Sequence, residues 1–403
     1  MILNNLHIRV KCASGGIYGD VVLDSIVNNT SSGGVRIAED LSVEEVATLA
    51  REMTLKNSFW GLPKGGARGG IRIPSGICAK ERRNILAEFG RRIAPLITTG
   101  IYLPWLDMNC GYEDLKAIYD GAGVVLGKPT DTAFCTALTV AEAMIACAEA
   151  AGLAERRVTV AIEGFGSVAT HLAERLPEER FRIIAVSTSK GAVLHNGGFS
   201  PKMLVSSRKE HGGEFVRSIP GSTRIGREEL LELEVDILVP SARTWAINDR
   251  NAGNVRARFI VPVANVPYTE RAVDLLHDRG IVCLPGFVTN AGGVYASSLY
   301  DSGVAMEQIE QLLATYYRDI ITTLLARSKE LARSPVRIAE SIAYEQLASR
   351  MDASGEAGTQ AHFLRRAFRK KLIPRSVYGE FMLRTCVRNL IHLNQRLEGA
   401  ASR

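Results

Sequence analysis

The sequence predicts an α/β fold in two parts: an N-terminal α/β domain and a doubly wound parallel sheet, followed by a helical C-terminal extension. Three observations carry this. Apolar runs of strand length alternate with helical patterns along most of the chain. One such run, Val158-Thr159-Val160-Ala161-Ile162, leads straight into Gly164-Phe165-Gly166-Ser167-Val168-Ala169 and then a helix through Leu176. Helical patterns dominate from about 303 onward. With 403 residues the chain is long enough for two domains with real cores.

In chain order, Leu6-His7-Ile8-Arg9-Val10-Lys11 alternates with period two, and Val21 to Val27 is a second apolar run. Asn28 to Gly34 reads as a turn cluster before Val35-Arg36-Ile37. Ser42 with Glu45 forms a capping-box pattern, after which Val46, Leu49, Ala50 and Met53 share one helical face and Lys56 lies at its end. A second amphipathic helix is expected over about 81–94, with Ile85, Phe89 and Ile93 inward. Residues 128–137 read as a connector, and the helix after it ends near Ala151 with Gly152 at C′. The runs Phe181 to Ser187, Ile237 to Pro240, Phe259 to Pro262 and Ile281 to Pro285 continue the βα alternation.

Composition narrows the function classes. Hydrophobic content of 46% and charge of 23% are ordinary for a soluble globular protein. No sequence run approaches 18 consecutive apolar residues, so no membrane span is expected, and no signal peptide is visible at Met1. The seven cysteines form no CxxC pair and the seven histidines show no ligand spacing. No metal is expected, and a reducing cytoplasm suits the cysteines. The net charge of +6 belongs to residues 352–403, which hold ten Lys/Arg against four Asp/Glu.

The glycine fingerprint has the context that gives it meaning: a strand before it, a helix after it, and a second strand beyond. Gly164 would make the turn, Gly166 would let backbone approach a pyrophosphate, and Ala169 would let helix and strand pack closely. The end of the second strand, Ser187-Thr188-Ser189-Lys190, carries no acid for a ribose 2′-hydroxyl. Lys190 there leans the expected cofactor toward NADP, with NAD as the alternative.

A second constellation runs from Lys56 to Ile71. Lys56, Lys64 and Arg68 stand among five glycines, and Arg68 lies between two glycine pairs. A cation in backbone without Cβ atoms suits a small carboxylate or a polarised carbonyl. A Gly-rich turn with solvated charges is the other reading. Asp107 ends the apolar segment Ile101 to Leu106. A carboxylate beside Trp105 and Leu106 is expected to have a raised pKa, useful for proton transfer. A helix N-cap is the alternative, because a helix begins near Glu113.

These segments also resemble a known family. Lys56 followed by Leu62-Pro63-x-Gly-Gly-Ala-x-Gly-Gly-Ile is similar to the substrate segment of the glutamate/leucine/phenylalanine/valine dehydrogenase superfamily. Gly33-Gly34-x-Arg36 resembles its GG-x-R strand, and Leu103-Pro104-x-x-Asp107-Met108 its catalytic-Asp segment. Thr136-Ala137 resembles the opening of the long helix in the leucine branch. Asp236 to Ala242, Ala264-Asn265, and Asn290 to Val294 with Ser297 resemble its cofactor and pocket segments, and Ile338 to Met351 its terminal helix.

The resemblance implies an N-terminal substrate and oligomerisation domain (1–135, joined by returning helices from about 303–351). It further implies a Rossmann-type dinucleotide-binding domain (136–302), with 352–403 as a basic helical extension. It implies that Lys56 binds the α-carboxylate and Asp107 handles the proton on the amino or imino nitrogen. Gly164, Phe165, Gly166, Ser167, Val168 and Ala169 would hold the cofactor, with Thr136, Thr188, Lys190, Ser241, Ala242, Ala264, Asn265 and Asn290. Asn265, Ser32 and Gly34 would line the substrate side, and Val294 and Ser297 the side-chain pocket. Glutamate members place a Lys just before the GG-x-R strand. Ser32 sits there, which favours a neutral or apolar amino acid. A homo-oligomer is implied.

Four positions depart from the family's pattern. Arg68 stands where the family has its catalytic Lys, and Arg cannot lose its proton to act as a base. Val263 and Val266 stand where Gly is common, and Gly286 where Asp is common. Two functions therefore stand: an NAD(P)-dependent oxidoreductase of an α-amino or 2-imino acid, or a catalytically inactive homologue that binds ligand as a regulatory or assembly subunit.

In the extension, Phe363, Leu364, Ala367, Phe368 and Leu372 make one apolar face opposite Arg365, Arg366, Arg369 and Lys370. Beyond Pro374, Leu383, Val387, Leu390, Ile391 and Leu397 make a second. A helical hairpin packed on its own subunit or across an oligomer interface is one reading. A docking element for an acidic partner is the other, with nucleic acid disfavoured for want of interleaved aromatics.

Overall fold

The computed structural model describes residues 6–12, 16–127, 132–153, 156–352 and 373–399. The chain divides into two units, one of Met1–Thr130 with Ala343–Lys370, the other of Asp131–Ile342 with Lys371–Arg403.

The first unit holds β1 (Leu6–Lys11), β2 (Tyr18–Leu23), β3 (Ser31–Ile37), helix α1 (Val43–Phe59) and β4 (Gly65–Ile71). Helices α2 (Ala79–Arg92) and α3 (Ala94–Thr99), strand β5 (Tyr102–Leu106) and helix α4 (Tyr112–Gly121) follow. The sheet order is β1-β2-β4-β3-β5, with β3 parallel to both β4 and β5. One face packs Val21, Leu23, Val35 and Ile71 against Ile85, Phe89, Ile93 and Ile118 from the helices. The other packs Val22 against Leu41, Val46 and Ala50 beside α1. Burying each such side chain fully contributes about 1.5–3 kcal/mol.

One alternative reading falls away here and one expectation changes. The Gly-rich stretch is no turn: Gly65–Ile71 is a fully buried strand, paired on one side with β2 and on the other with β3. Glycine disfavours strands intrinsically, but neighbours on both edges satisfy its backbone. The turn expected over Asn28 to Gly34 is confined to Asn28 and Asn29, both at positive φ, and Ser31 already begins β3.

The second unit holds α5 (Ala133–Ala150), β6 (Val158–Glu163), α6 (Ser167–Arg175), β7 (Phe181–Thr188), β8 (Gly191–Leu194), α7 (Pro201–His211), β9 (Thr223–Ile225) and α8 (Arg227–Leu231). Then come β10 (Ile237–Pro240), β11 (Phe259–Ile260), α9 (Glu270–Asp278), β12 (Val282–Cys283), α10 (Gly286–Thr289), α11 (Gly292–Asp301) and α12 (Met306–Leu331). Helix α13 (Pro335–Asp352) leads from this unit into the first, and α14 (Arg375–Gly399) returns to it. The sheet order is β12-β11-β10-β6-β7-β8-β9. Strands β12 to β7 are parallel, as the alternation predicts, while β8 and β9 extend the edge antiparallel. Helix α12 packs on α5 within this unit, so the expected return to the first unit from about 303 begins only at Ala343.

Among the described residues one helix, Ala133–Ala150, is long and apolar enough to cross a membrane, and 67% of it is buried in the unit. That is a property of a core helix as much as of a span. Helix α14 packs along α12 and α11 through Tyr378, Met382, Cys386, Leu390, Leu393 and Leu397. Leu390 and Leu397 were expected inward. Ile391 is exposed, because the seam steps by four and three from Met382 rather than from Leu383. Arg384, Arg388 and Arg396 face outward. Phe363, Leu364, Ala367, Phe368, Leu372, Arg365, Arg366, Arg369 and Lys370 lie outside the described residues.

Candidate active site

In the first unit, the site is built by the close approach of α1, β3, β4 and β5. Ser42 accepts a hydrogen bond from the Glu45 N–H at 3.0 Å and starts α1, but the Glu45 carboxylate does not complete the expected box. It accepts instead from Arg36 at 2.7 Å. Lys56 sits in the last turn of α1 and is buried, one helical turn beyond buried Glu52.

Arg68 on β4 is among the most buried large side chains of the protein. Its Nη1 lies 3.2 Å from Asp107 Oδ2, the same oxygen that accepts from Arg36 Nε at 2.9 Å. Gly34 makes this possible. A Cβ there would fall 2.6 Å from the Asp107 Cβ and 2.8 Å from Arg68 Nη1. Arg36 and Gly34 share a face of β3 through the two-residue strand period. That spacing is the signal by which sequence reading could have placed Arg36 at the site. Asp107 follows β5, and Gly111 rather than Asp107 is the N-cap of α4.

The charges explain one another. Burial pushes the Asp107 carboxyl up, as its apolar neighbours led us to expect. Arg68 and Arg36 outweigh burial, and the pKa falls to about 2. The expected raised pKa is therefore overturned by two guanidinium groups that its local sequence does not reveal. Burial brings the Lys56 ammonium down, Glu52 and Asp107 oppose this, Arg68 adds to it, and the value is about 8. Burial likewise lowers Arg68, with Asp107 opposing. Lys56, Arg68 and Asp107 thus feel one another's charge in one buried cluster, joined by Glu52, which sequence reading missed although it precedes Lys56 by four residues. Ser32 is buried on β3, with its Oγ 3.5 Å from Asn57 Nδ2.

In the second unit, the carboxyl ends of β6, β7 and β10 meet around the glycine turn. Gly164 has φ +91°, and a Cβ there would stand 2.5 Å from the Ala242 Cβ. Its N–H donates to Ser187 Oγ at 3.0 Å, and Phe165 N–H donates to the Ser187 carbonyl at 2.7 Å. Glu163 accepts from the Ser241 and Ala242 N–H groups at 3.3 and 3.1 Å. Ser187 and Glu163 brace the turn, and neither stood among the expected site residues.

The residues fit a dinucleotide. Space lies open where a Gly166 Cβ would project, at the N-terminus of α6, and β6 is the strand from which the chain winds to either side. Ser167 is exposed and Val168 half-buried there, while Ala169 is buried against the sheet. Phe165 is otherwise: its ring is buried against Phe215, centroids 5.6 Å apart, so only its backbone can face a ligand. At the end of β7, Thr188 donates to the Gly213 carbonyl at 2.7 Å, and Lys190 lies 3.4 Å from Glu214. An acid does therefore stand beside that position, brought by a distant segment.

Asn290 Nδ2 donates to the carbonyls of Val263 (2.9 Å) and Ala264 (3.3 Å) and to Asn265 Oδ1 (3.2 Å), which gathers those expected residues. Val294 and Ser297 lie together on α11, where Ser297 Oγ donates to the Val294 carbonyl at 3.1 Å. Thr136 on α5 crowds Gly293 at the start of the same helix. Among the described residues no cluster of His, Cys, Asp or Glu could hold a metal.

Residues 13–122 match the family described as Glu/Leu/Phe/Val dehydrogenase, dimerisation domain, and 123–355 match Glutamate/Leucine/Phenylalanine/Valine dehydrogenase. The chain belongs to the Glu/Leu/Phe/Val dehydrogenase family. It is 34% identical over 293 residues to a glutamate dehydrogenase of Thermotoga maritima, spanning 68% of this chain and 70% of that one. It is 30% identical over 317 residues to a glutamate dehydrogenase of Aeropyrum pernix, spanning 72% and 75%. Its fold matches the hetero-hexameric glutamate dehydrogenase from Thermus thermophilus in its Leu-bound form, with TM-score 0.75, 24% identity, and 87% and 90% of the two chains covered.

As a member of this family the protein is an oxidoreductase of the amino-acid dehydrogenase type, acting on CH–NH2. Val266 has φ +47°, a left-handed conformation that a β-branched residue adopts only under strain. Val266→Gly is expected to raise stability by about 1 kcal/mol, read as a higher midpoint in chemical denaturation, since relief of strain exceeds glycine's added chain entropy. Gly164→Ala should act in the opposite sense. It should lower dinucleotide affinity at least tenfold in equilibrium titration, because the turn must open to admit the methyl group.

Proposed function

We propose that this dehydrogenase interconverts an α-amino acid of neutral or apolar side chain and its 2-oxo acid, with NADP preferred over NAD and with proton transfer weakened by Arg68. The observation that carries the reading is the buried cluster of Lys56, Arg68 and Asp107 in a unit whose partner unit bears the dinucleotide turn. A bound nicotinamide would supply or accept the hydride. Lys56 would attract the α-carboxylate. Arg68 would steady negative charge that develops on the reacting oxygen. Asp107, held as a carboxylate near neutrality, is a weak base and is rarely protonated to donate.

Ser32 offers no cation for a γ-carboxylate, which supports a neutral or apolar substrate even though the named relatives are glutamate dehydrogenases. Lys190 and Arg217 both pair with Glu214, and Arg208 lies beside Gly213, so cations outnumber the acid there, which supports a 2′-phosphate. The seven free cysteines suit a cytoplasmic setting, and the dimerisation domain supports assembly of several copies.

The test is NADPH and NADH oxidation with ammonia and a panel of 2-oxo acids that includes 2-oxoglutarate. Turnover confined to 2-oxoglutarate would overturn the substrate reading. A second reading, a ligand-binding subunit without turnover, is favoured by one feature: two arginines pin Asp107 as a carboxylate. Tight binding of amino acid with no oxidation of either cofactor would decide for it.

A further inference from the structure

We infer that Arg68 presents an unpaired two-pronged carboxylate clamp, Nε–H beside Nη2–H, and that the carboxylate drawn in by Lys56 docks side-on against it once the site opens to admit it. The inference rests on the reading that this site takes amino or 2-oxo acids, and it assigns Arg68 a binding task distinct from the acid–base one it cannot perform.

Arg68 spends only Nη1 on Asp107. Its Nε and Nη2 are shut off from water and meet no hydrogen-bond partner among the described residues. A buried guanidinium with two idle donors is costly and unusual, because native structures pair nearly all such groups. The two idle donors are also a matched pair. Nε–H and Nη2–H lie on one edge of the planar group and point the same way, at the spacing of two carboxylate oxygens.

No other member of the cluster hydrogen-bonds along this edge. Asp107 is committed at Oδ2 to Arg36 and to Nη1. Arg36 is committed to Glu45 as well. On the neighbouring strand, Gly34 removes the side chain that would otherwise press on the guanidinium. Lys56, buried and coupled to Arg68, adds a second cation for the same ligand. A lysine at position 68 would offer a point charge without the fork. The ligand class is therefore a small carboxylic acid held by its carboxylate through both residues.

The experiment is isothermal titration of the full-length protein, without cofactor, using 2-oxoisovalerate and its methyl ester. Wild type and Arg68→Lys are compared, with circular dichroism and thermal melts to verify that both are folded. The acid should bind the wild type at least tenfold more tightly than the ester. Arg68→Lys, which replaces the two-pronged edge by a single nitrogen, should weaken the acid at least tenfold and the ester little. Equal binding of acid and ester by the wild type would overturn the inference, as would acid affinity within twofold of wild type in folded Arg68→Lys. Binding without turnover leaves the clamp standing while the dehydrogenase reading fails, so the two are separately judged.

Discussion

Arg68→Lys is expected to raise the rate of reductive amination about 10²–10⁴-fold over the wild type, the range associated with gaining one general acid–base group. The reason lies in the pairing at Asp107. In the wild type its carboxyl has a pKa of about 2, with Arg68 and Arg36 both favouring the charge. At pH 7 Asp107 is therefore almost never in the protonated form that the leaving or entering nitrogen requires. A lysine buried at the same place can shed its proton, as Lys56 shows with a value of about 8 in the same cluster. Once neutral it no longer depresses Asp107, which Arg36 alone then holds down, so a base returns beside a less strongly depressed carboxyl. The gain should appear in kcat, with a pH profile that acquires a limb near neutrality. KM for the 2-oxo acid should rise, because the clamp is lost. A kcat within threefold of wild type would show that Arg68 does not limit the chemistry.

Asp107→Asn is expected to destabilise the protein by about 3–5 kcal/mol, measured by chemical denaturation. The pair it breaks is deep: the side chains of Arg36 and Arg68 are 5% and 2% exposed. Without the carboxylate, Arg36 keeps Glu45 but Arg68 is left a buried charge with no counter-ion in contact. The half-exposed pair Arg82–Asp114, at 2.8 Å, makes the comparison. Asp114→Asn should cost about 1 kcal/mol or less, since solvent screens it.

The pH dependence has a definite sign. Asp107 is depressed in the folded state, so its stabilisation is fully present above the unfolded carboxylate range and is lost as pH falls through about 2. That contribution, about 2 kcal/mol, should vanish from the acid limb of the Asn variant.

Much of the fold was legible in the chain. The strands from Val158 to Cys283 are short apolar runs bounded by helical periodicity, and both signals depend only on neighbours in sequence. The turn at Gly164 was legible for the same reason. The edge formed by β8 and β9 was not, because a four-residue and a three-residue strand carry too little pattern. Strand β4 was not legible, because glycine's own preference points away from strands, and only pairing on both edges reverses it.

The site was half legible. Lys56, Arg68 and Asp107 stood out by residue type and setting, and the structure gathers them. Their protonation was not legible. The apolar neighbours of Asp107 in sequence argue for a raised pKa, and they do act in that direction. What decides the outcome is Arg36, 71 positions away, and Arg68 across the sheet. Likewise Glu214 reaches Lys190 only through the packing of a separate segment.

By itself, then, the sequence determined the family, the alternation of strands and helices, and the candidate trio Lys56, Arg68 and Asp107. These follow from residue identity and local spacing. Only the tertiary structure decided that Asp107 is a pinned carboxylate and that Nε and Nη2 of Arg68 are buried without a hydrogen-bond partner. Coulomb and hydrogen-bond energies fall off within a few ångströms, so they depend on which distant strands lie side by side, and no local pattern encodes that.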